Sequence, residues 1–206
     1  MKHIYLVLSA TPFKIGTFVR YITKSEYNHA SISLEDSLTP MYAFARHHKT
    51  APFYGGLVVE SGLRYEYHNR STKIKVYKIP VSDKSHKRAH DFIEDTQRSH
   101  PVYNLISACF VPARHRVLIR DSYTCVEFAS EVLARADVCD MKSGDFYNFD
   151  DFKKVFSPFV IYEGDYKGFI ESTFNPDDRF LDKLGFFKSI SKMAGVIFTL
   201  IKRKFP

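Results

Sequence analysis

The sequence predicts an α+β fold, with strands that gather into an antiparallel sheet and amphipathic helices beside them. Three observations carry this. His29-Ala-Ser-Ile-Ser-Leu-Glu35 alternates strictly, with Ala30, Ile32 and Leu34 on one face and His29, Ser31, Ser33 and Glu35 on the other. Lys73 to Val81 alternates in the same way, and Phe128, Ala129, Val132, Leu133 and Ala136 recur at helical spacing. A chain of 206 residues, 45% hydrophobic and 26% charged, with 19 Phe and 13 Tyr, is long enough to bury a core and too aromatic to be disordered.

Taken in order, Ile4 to Leu8 reads as a buried strand; its apolar run is short and its charged start minimal for a signal peptide. Pro12 opens a helix to Lys24, with apolar Phe13, Phe18, Tyr21 and Ile22. Further strands are expected at Met41 to Ala45 and Leu57 to Glu60, around a loop holding Pro52 and Gly55-Gly56. Asp83 to Ser99 is a polar surface helix with a stripe of Ala89, Phe92 and Ile93. Tyr103 to Phe110 forms a short apolar helix, and Asn148 caps another that runs to Phe156, with Asp150 and Asp151 in its first turn. From Phe186 to Ile201 an apolar stripe is flanked by Lys188 and Lys192. Packing on its own domain is the first expectation for that stripe, and peripheral contact with a membrane or a partner helix is the alternative.

Thirty Lys and Arg against 23 Asp and Glu leave a charge of +7, concentrated in the Arg114 to Arg120 loop and at Lys202-Arg-Lys204. No nucleic-acid motif or phosphate-binding glycine loop accompanies it, so no nucleic-acid partner is expected. No stretch approaches the roughly 20 apolar residues of a membrane span. Cys109, Cys125 and Cys139 have no paired spacing, which suits a reducing compartment; a cytoplasmic location is expected, with Cys109 and Cys139 buried as structural thiols. The oligomeric state is not written in the chain.

Cys125 is the residue with chemical promise. Thr124 and Glu127 form a capping-box pair, with Ser122 as the competing cap, so the sulfur lies in the first turn of a helix where unpaired amides and the dipole favour negative charge. A nucleophilic thiol needs a base, and His29, on the polar face of the clearest strand, is the best placed of nine histidines. His3, His68, His86, His90 and His100 read as solvated. His47-His48 lacks a Cys or carboxylate at ligand spacing, and neither a metal nor a cofactor is expected.

Tyr27-Asn-His-Ala-Ser-Ile-Ser-Leu34, followed by a strand-rich stretch and then by Tyr123-Thr-Cys-Val-Glu-Phe-Ala129, resembles the circularly permuted papain-like superfamily of NlpC-type peptidases and lecithin retinol acyltransferase-like enzymes. In that group the histidine strand precedes the cysteine helix, as it does here. The resemblance covers roughly Met1 to Phe169. It implies a permuted papain-like domain over residues 1–175, its cysteine helix packed on the sheet, and a basic amphipathic helical extension over 176–206. It also implies Cys125 as nucleophile, His29 as general base and backbone amides near Cys125 as the oxyanion site. The third member is a polar residue on a later strand. Met41 to Ala45 offers only Tyr42, so Glu60 is preferred over Glu35. Arg116 and Tyr123 are expected at the substrate site, with Arg114 and Arg120 as further candidates to hold an anionic group. The expected activity is a peptidase, amidase or acyltransferase acting on a peptide, amide or ester. The alternative is a non-catalytic module of the same fold that binds a membrane or protein through its basic surface and C-terminal helix.

Overall fold

The computed structural model describes residues 1–65, 72–166 and 178–205. His68 and residues 176–177 lie outside the described residues, as do the side chains of Phe18 and Ile22. In chain order the elements are β1 (Lys2–Ala10), α1 (Lys14–Thr23), β2 (His29–Ser33), β3 (Met41–Arg46), β4 (Gly55–Val59), β5 (Lys73–Val81), α2 (Asp83–Arg98), β6 (Val102–Tyr103), α3 (Leu105–Phe110), β7 (Ser122–Tyr123), α4 (Cys125–Arg135), α5 (Phe149–Val155), β8 (Val160–Asp165) and α6 (Phe186–Lys204).

Six strands form one antiparallel sheet in the order β4-β3-β2-β1-β5-β8. The central strand β1 is buried on both faces, which is why Ile4 to Leu8 reads as a continuous apolar run rather than an alternation. On one face Ile4, Leu6, Leu8, Ala30 and Ile32 pack against Phe128, Ala129, Val132 and Leu133 of α4, with Ala89 and Ile93 of α2 and Phe152 of α5 beside them. The other face carries a second core of Tyr5, Val7, Met41, Ile74 and Val76, closed by the stacked rings of Tyr65 and Tyr166 at 4.6 Å. The polar face of β2 therefore does not meet solvent: Ser31 and Ser33 are buried as fully as Ala30 and Ile32.

Local signals explain most of the boundaries. Ser82 caps α2, Asn104 caps α3, and the Asn148–Asp151 pair forms a capping box on α5. Phe13, not Pro12, is the residue before α1, and Tyr21 on that helix faces solvent, contrary to its place in the expected apolar set. Cys109 and Cys139 are exposed, not buried, because α3 ends at the surface and Cys139 lies in a turn after α4. Residues 178–180 also belong to the main body. The Lys49 amide donates to the Phe180 carbonyl at 2.9 Å and Arg64 holds Asp178, while the terminal helix begins after Gly185.

The C-terminal helix departs most from expectation. Only Ser189, Val196 and Leu200 are buried, the last two against Ile119, while most of the apolar stripe faces outward. Among the described residues, no helix is long and apolar enough to cross a membrane.

Candidate active site

Two local devices fix the two ends of the site. At the histidine end, Asn28 is clamped to the turn after β1: its Oδ1 accepts from the Thr11 amide at 3.0 Å and the Thr11 hydroxyl at 2.8 Å, and its Nδ2 donates to the Thr11 carbonyl. Gly16 makes this approach possible, since a Cβ there would stand 2.5 Å from Asn28 Nδ2. The next residue, His29, pairs with Ser9 as the first residue of β2. The β2–β3 ladder holds only at Ile32–Tyr42 and Ser33–Met41, so His29 sits where these two strands have parted.

At the cysteine end, the Thr124 hydroxyl accepts from the Glu127 amide at 3.2 Å and Glu127 Oε2 accepts from the Thr124 amide at 2.7 Å, completing the capping box read from the sequence. Cys125 is thus the first residue of α4. The Phe128 amide reaches back to the Thr124 carbonyl, which leaves the amides of Cys125 and Val126 as the unpaired donors of the first turn among the described residues. The two-residue parallel ladder of β6 and β7 sets Tyr103 beside Tyr123, just ahead of the cysteine.

These elements bring Cys125, His29 and Glu60 together. His29 Nε2 donates to Glu60 Oε1, and the Cys125 sulfur lies close enough to the imidazole to raise its pKa alongside the carboxylate. The thiol is 6% exposed, the His29 side chain 14% and the Glu60 side chain fully buried. Burial alone would push the imidazole down, but the Glu60 carboxylate and the Cys125 sulfur outweigh it and carry His29 up from 6.5 to about 10. Burial would likewise raise the Glu60 carboxyl; His29, with help from Arg64, holds it below 4.5. The site thus favours an imidazolium held against the Glu60 carboxylate, with the Cys125 sulfur beside it.

Glu60 is itself supported. The Ser31 hydroxyl donates to Oε1 at 3.3 Å, and Arg64 Nε lies 3.6 Å from Oε2. Arg64 in turn grips Asp178 through Nε at 2.9 Å and Nη2 at 3.0 Å, donates to the Arg46 carbonyl at 2.8 Å, and shares Asp178 with the Ser61 hydroxyl. Behind the Cys125 sulfur lies a buried series of alternating charge, His29, Glu60, Arg64 and Asp178. Sequence reasoning missed the last two. Arg64 left one trace, its position four residues after Glu60; Asp178 left none.

Tyr103, near the thiol, and Arg46 beyond it were also missed. Burial raises the Tyr103 phenol well above its ordinary value, and it feels the charges of Cys125 and Glu127 on one side and Arg46 on the other. The Arg46 guanidinium lies over the rings of Phe13 and Phe180 at 5.7 and 5.5 Å, donates to the Lys49 carbonyl, and has no carboxylate partner among the described residues.

The expected substrate residues are placed elsewhere. Arg116 is only 6% exposed and is spent on the cysteine helix: Nη1 donates to Glu131 Oε1 at 2.7 Å, and Nε stands 3.7 Å from Glu127. Tyr123 packs its ring on Phe44, Phe92 and Phe128, a structural position. Arg114 pairs with Asp151 on the surface, and Arg120 and Glu35 are exposed. His47 is partly enclosed against Tyr54, where burial, helped by the charge of Arg64, lowers it to about 4 and keeps it neutral at pH 7. Among the described residues no cluster of His, Cys, Asp or Glu could hold a metal ion.

No family model matches the chain, and neither a curated protein nor a solved structure matches it.

Proposed function

We propose that the protein is a cysteine-dependent hydrolase or acyltransferase of the permuted papain-like kind, with Cys125 as nucleophile, His29 as general base and acid, and Glu60 as the group that orients the ring. One observation carries this reading: the His29 imidazole has the Cys125 sulfur on one side and a fully buried carboxylate on the other. A structural cysteine needs no such neighbour, and a buried Glu held against an imidazole costs desolvation that a purely apolar packing would avoid.

The chemistry follows from the positions. The sulfur, its proton held by His29, attacks the carbonyl carbon of an amide or ester, and the carbonyl oxygen becomes an oxyanion facing the amides of Cys125 and Val126. Collapse of that adduct breaks the bond to the leaving amine or alcohol, which takes the imidazolium proton. A thioester on Cys125 remains. Water, or the hydroxyl or amine of an acceptor, then gives its proton to the neutral imidazole as it attacks the thioester, releasing the acid or the acylated acceptor and restoring the thiol. Glu60 keeps Nε2 protonated throughout.

The test uses p-nitrophenyl acetate as a generic acyl donor. Release of p-nitrophenolate with one acetyl group trapped on Cys125, seen by mass spectrometry and lost in both Cys125→Ala and His29→Ala, is the expected result. Acetylation that spreads over Cys109 and Cys139 as readily as Cys125 would instead favour the non-catalytic module.

A further inference from the structure

The helix α6 meets the rest of the protein by an edge, not by its apolar face. At 100° per residue, Ser189, Val196 and Leu200 form one narrow strip, and these are its buried positions. The strip packs on Ile119, with Tyr54 and Val102 nearby, and the C-terminal end is pinned by Arg203, whose Nη1 donates to the Asp121 carbonyl at 2.8 Å. The adjoining arc, about a third of the circumference, carries Phe186, Phe187, Ile190, Ile197, Phe198 and Ile201, all exposed, and Phe205 continues it past the helix end. Phe187 is 85% exposed and Phe198 69%. No described residue covers this arc.

Charge indicates the occupant. The arc is bordered on its far side by Lys188 and Lys202, Lys204 lies at its end, Lys192 turns back to lie over the Tyr54 ring at 5.6 Å, and residues 186–206 hold five basic side chains and no acidic one. Arg120, whose neighbour Asp121 accepts from Arg203, adds an exposed cation at the same end. An apolar strip of aromatic and branched side chains with a lysine border suits the boundary between acyl chains and anionic headgroups, whereas a second copy of this chain would set one basic border against another. We propose that α6 lies flat on a bilayer rich in anionic lipid, its phenylalanines in the acyl boundary and its lysines at the phosphates. The helix is clamped to the β6–β7 ladder through Val102 and Arg203, so the segment leading into Cys125 is held close to that surface. The inference does not depend on the activity proposed above.

Co-sedimentation of the full chain with vesicles of phosphatidylcholine, with and without phosphatidylserine, tests it. Native protein and Cys125→Ala should both bind the phosphatidylserine vesicles and bind phosphatidylcholine alone more weakly, with binding falling as salt rises. Phe187→Ser with Phe198→Ser removes two solvent-facing rings and leaves the buried strip intact; each change should weaken binding roughly tenfold. Lys188→Glu with Lys202→Glu should abolish the preference for phosphatidylserine. Absence of binding at low salt, or binding unchanged by the phenylalanine substitutions, would overturn the proposal. So would a dimer in sedimentation equilibrium that those same substitutions dissociate, since α6 would then be an interface between copies.

Discussion

His29 is where the energetics of the site concentrate, because one ring must satisfy a sulfur and a carboxylate in a place that water barely enters. Its raised value depends on Glu60, so replacing that charge while keeping a hydrogen-bonding group should lower it. In Glu60→Gln, the NMR titration midpoint of His29 should fall by about one unit or more from the native value, toward 6.5; an unchanged midpoint would remove Glu60 from the account. Arg64 tests the support behind it. Arg64→Met leaves Glu60 Oε2 and Asp178 buried without their cation, and urea unfolding should show a loss of about 3 kcal/mol, the scale of a broken buried ion pair. At this scale the sequence was legible only in part. Cys125 and His29 stood out through their local settings, a helix start and a strand start, and Glu60 was preferred because the nearer strand, Met41 to Ala45, offers only Tyr42. The Arg64–Asp178 pair spans 114 residues, and no local pattern announces such a contact. Arg116 was misread for a related reason: a basic loop looks alike whether its guanidinium faces water or a buried Glu131.

The elements were read more fully, since each is specified by neighbours a few residues apart. The alternation of residues 73–81 matches β5, and the Thr124–Glu127 spacing is the capping box of α4. What periodicity could not convey was how completely α4 is enclosed. Every residue from Cys125 to Leu133 is buried, including Glu127 and Glu131, whose carboxylates tie down Ser107, Arg116 and Ser143. Helix spacing identifies the apolar face; it does not reveal that the polar face is covered by loops from distant parts of the chain. The cap is open to direct test. Thr124→Ala removes the acceptor for the Glu127 amide and should cost about 1 kcal/mol in urea unfolding. A cost near zero would mean that the first turn, and with it the position of the sulfur, is held by other contacts. For α6 the stripe was visible in the sequence but not its partner, because amphipathicity says that a face needs covering and not by what.

Across the whole molecule, the site leaves a signature in the dependence of stability on pH. The folded value of His29, about 10, lies above its ordinary 6.5, so the stabilisation is fully present below pH 6.5 and disappears as pH rises through 10. Glu60 acts in the opposite sense: its folded value lies below 4.5, so its contribution is complete above pH 4.5 and fades as pH falls past its lowered value. The stability difference between native protein and His29→Gln should therefore be largest between about pH 5 and 6.5 and shrink toward pH 10. A difference that does not vary with pH would mean that His29 is buried uncharged. The α+β architecture was legible because strand alternation and helix spacing persist along the chain. The attachment of residues 178–184 to the main body was not, since it rests on single bonds such as that from Lys49 to Phe180.

The most direct measurement is the rate at which iodoacetamide alkylates Cys125 at neutral pH, followed by peptide mass spectrometry in native protein and in His29→Ala, with the exposed Cys109 as an internal reference. Cys125, although 6% exposed, should react faster than Cys109 in the native chain and lose that advantage in the variant. A Cys125 that reacts no faster than Cys109, and at the same rate with and without the imidazole, would contradict the account.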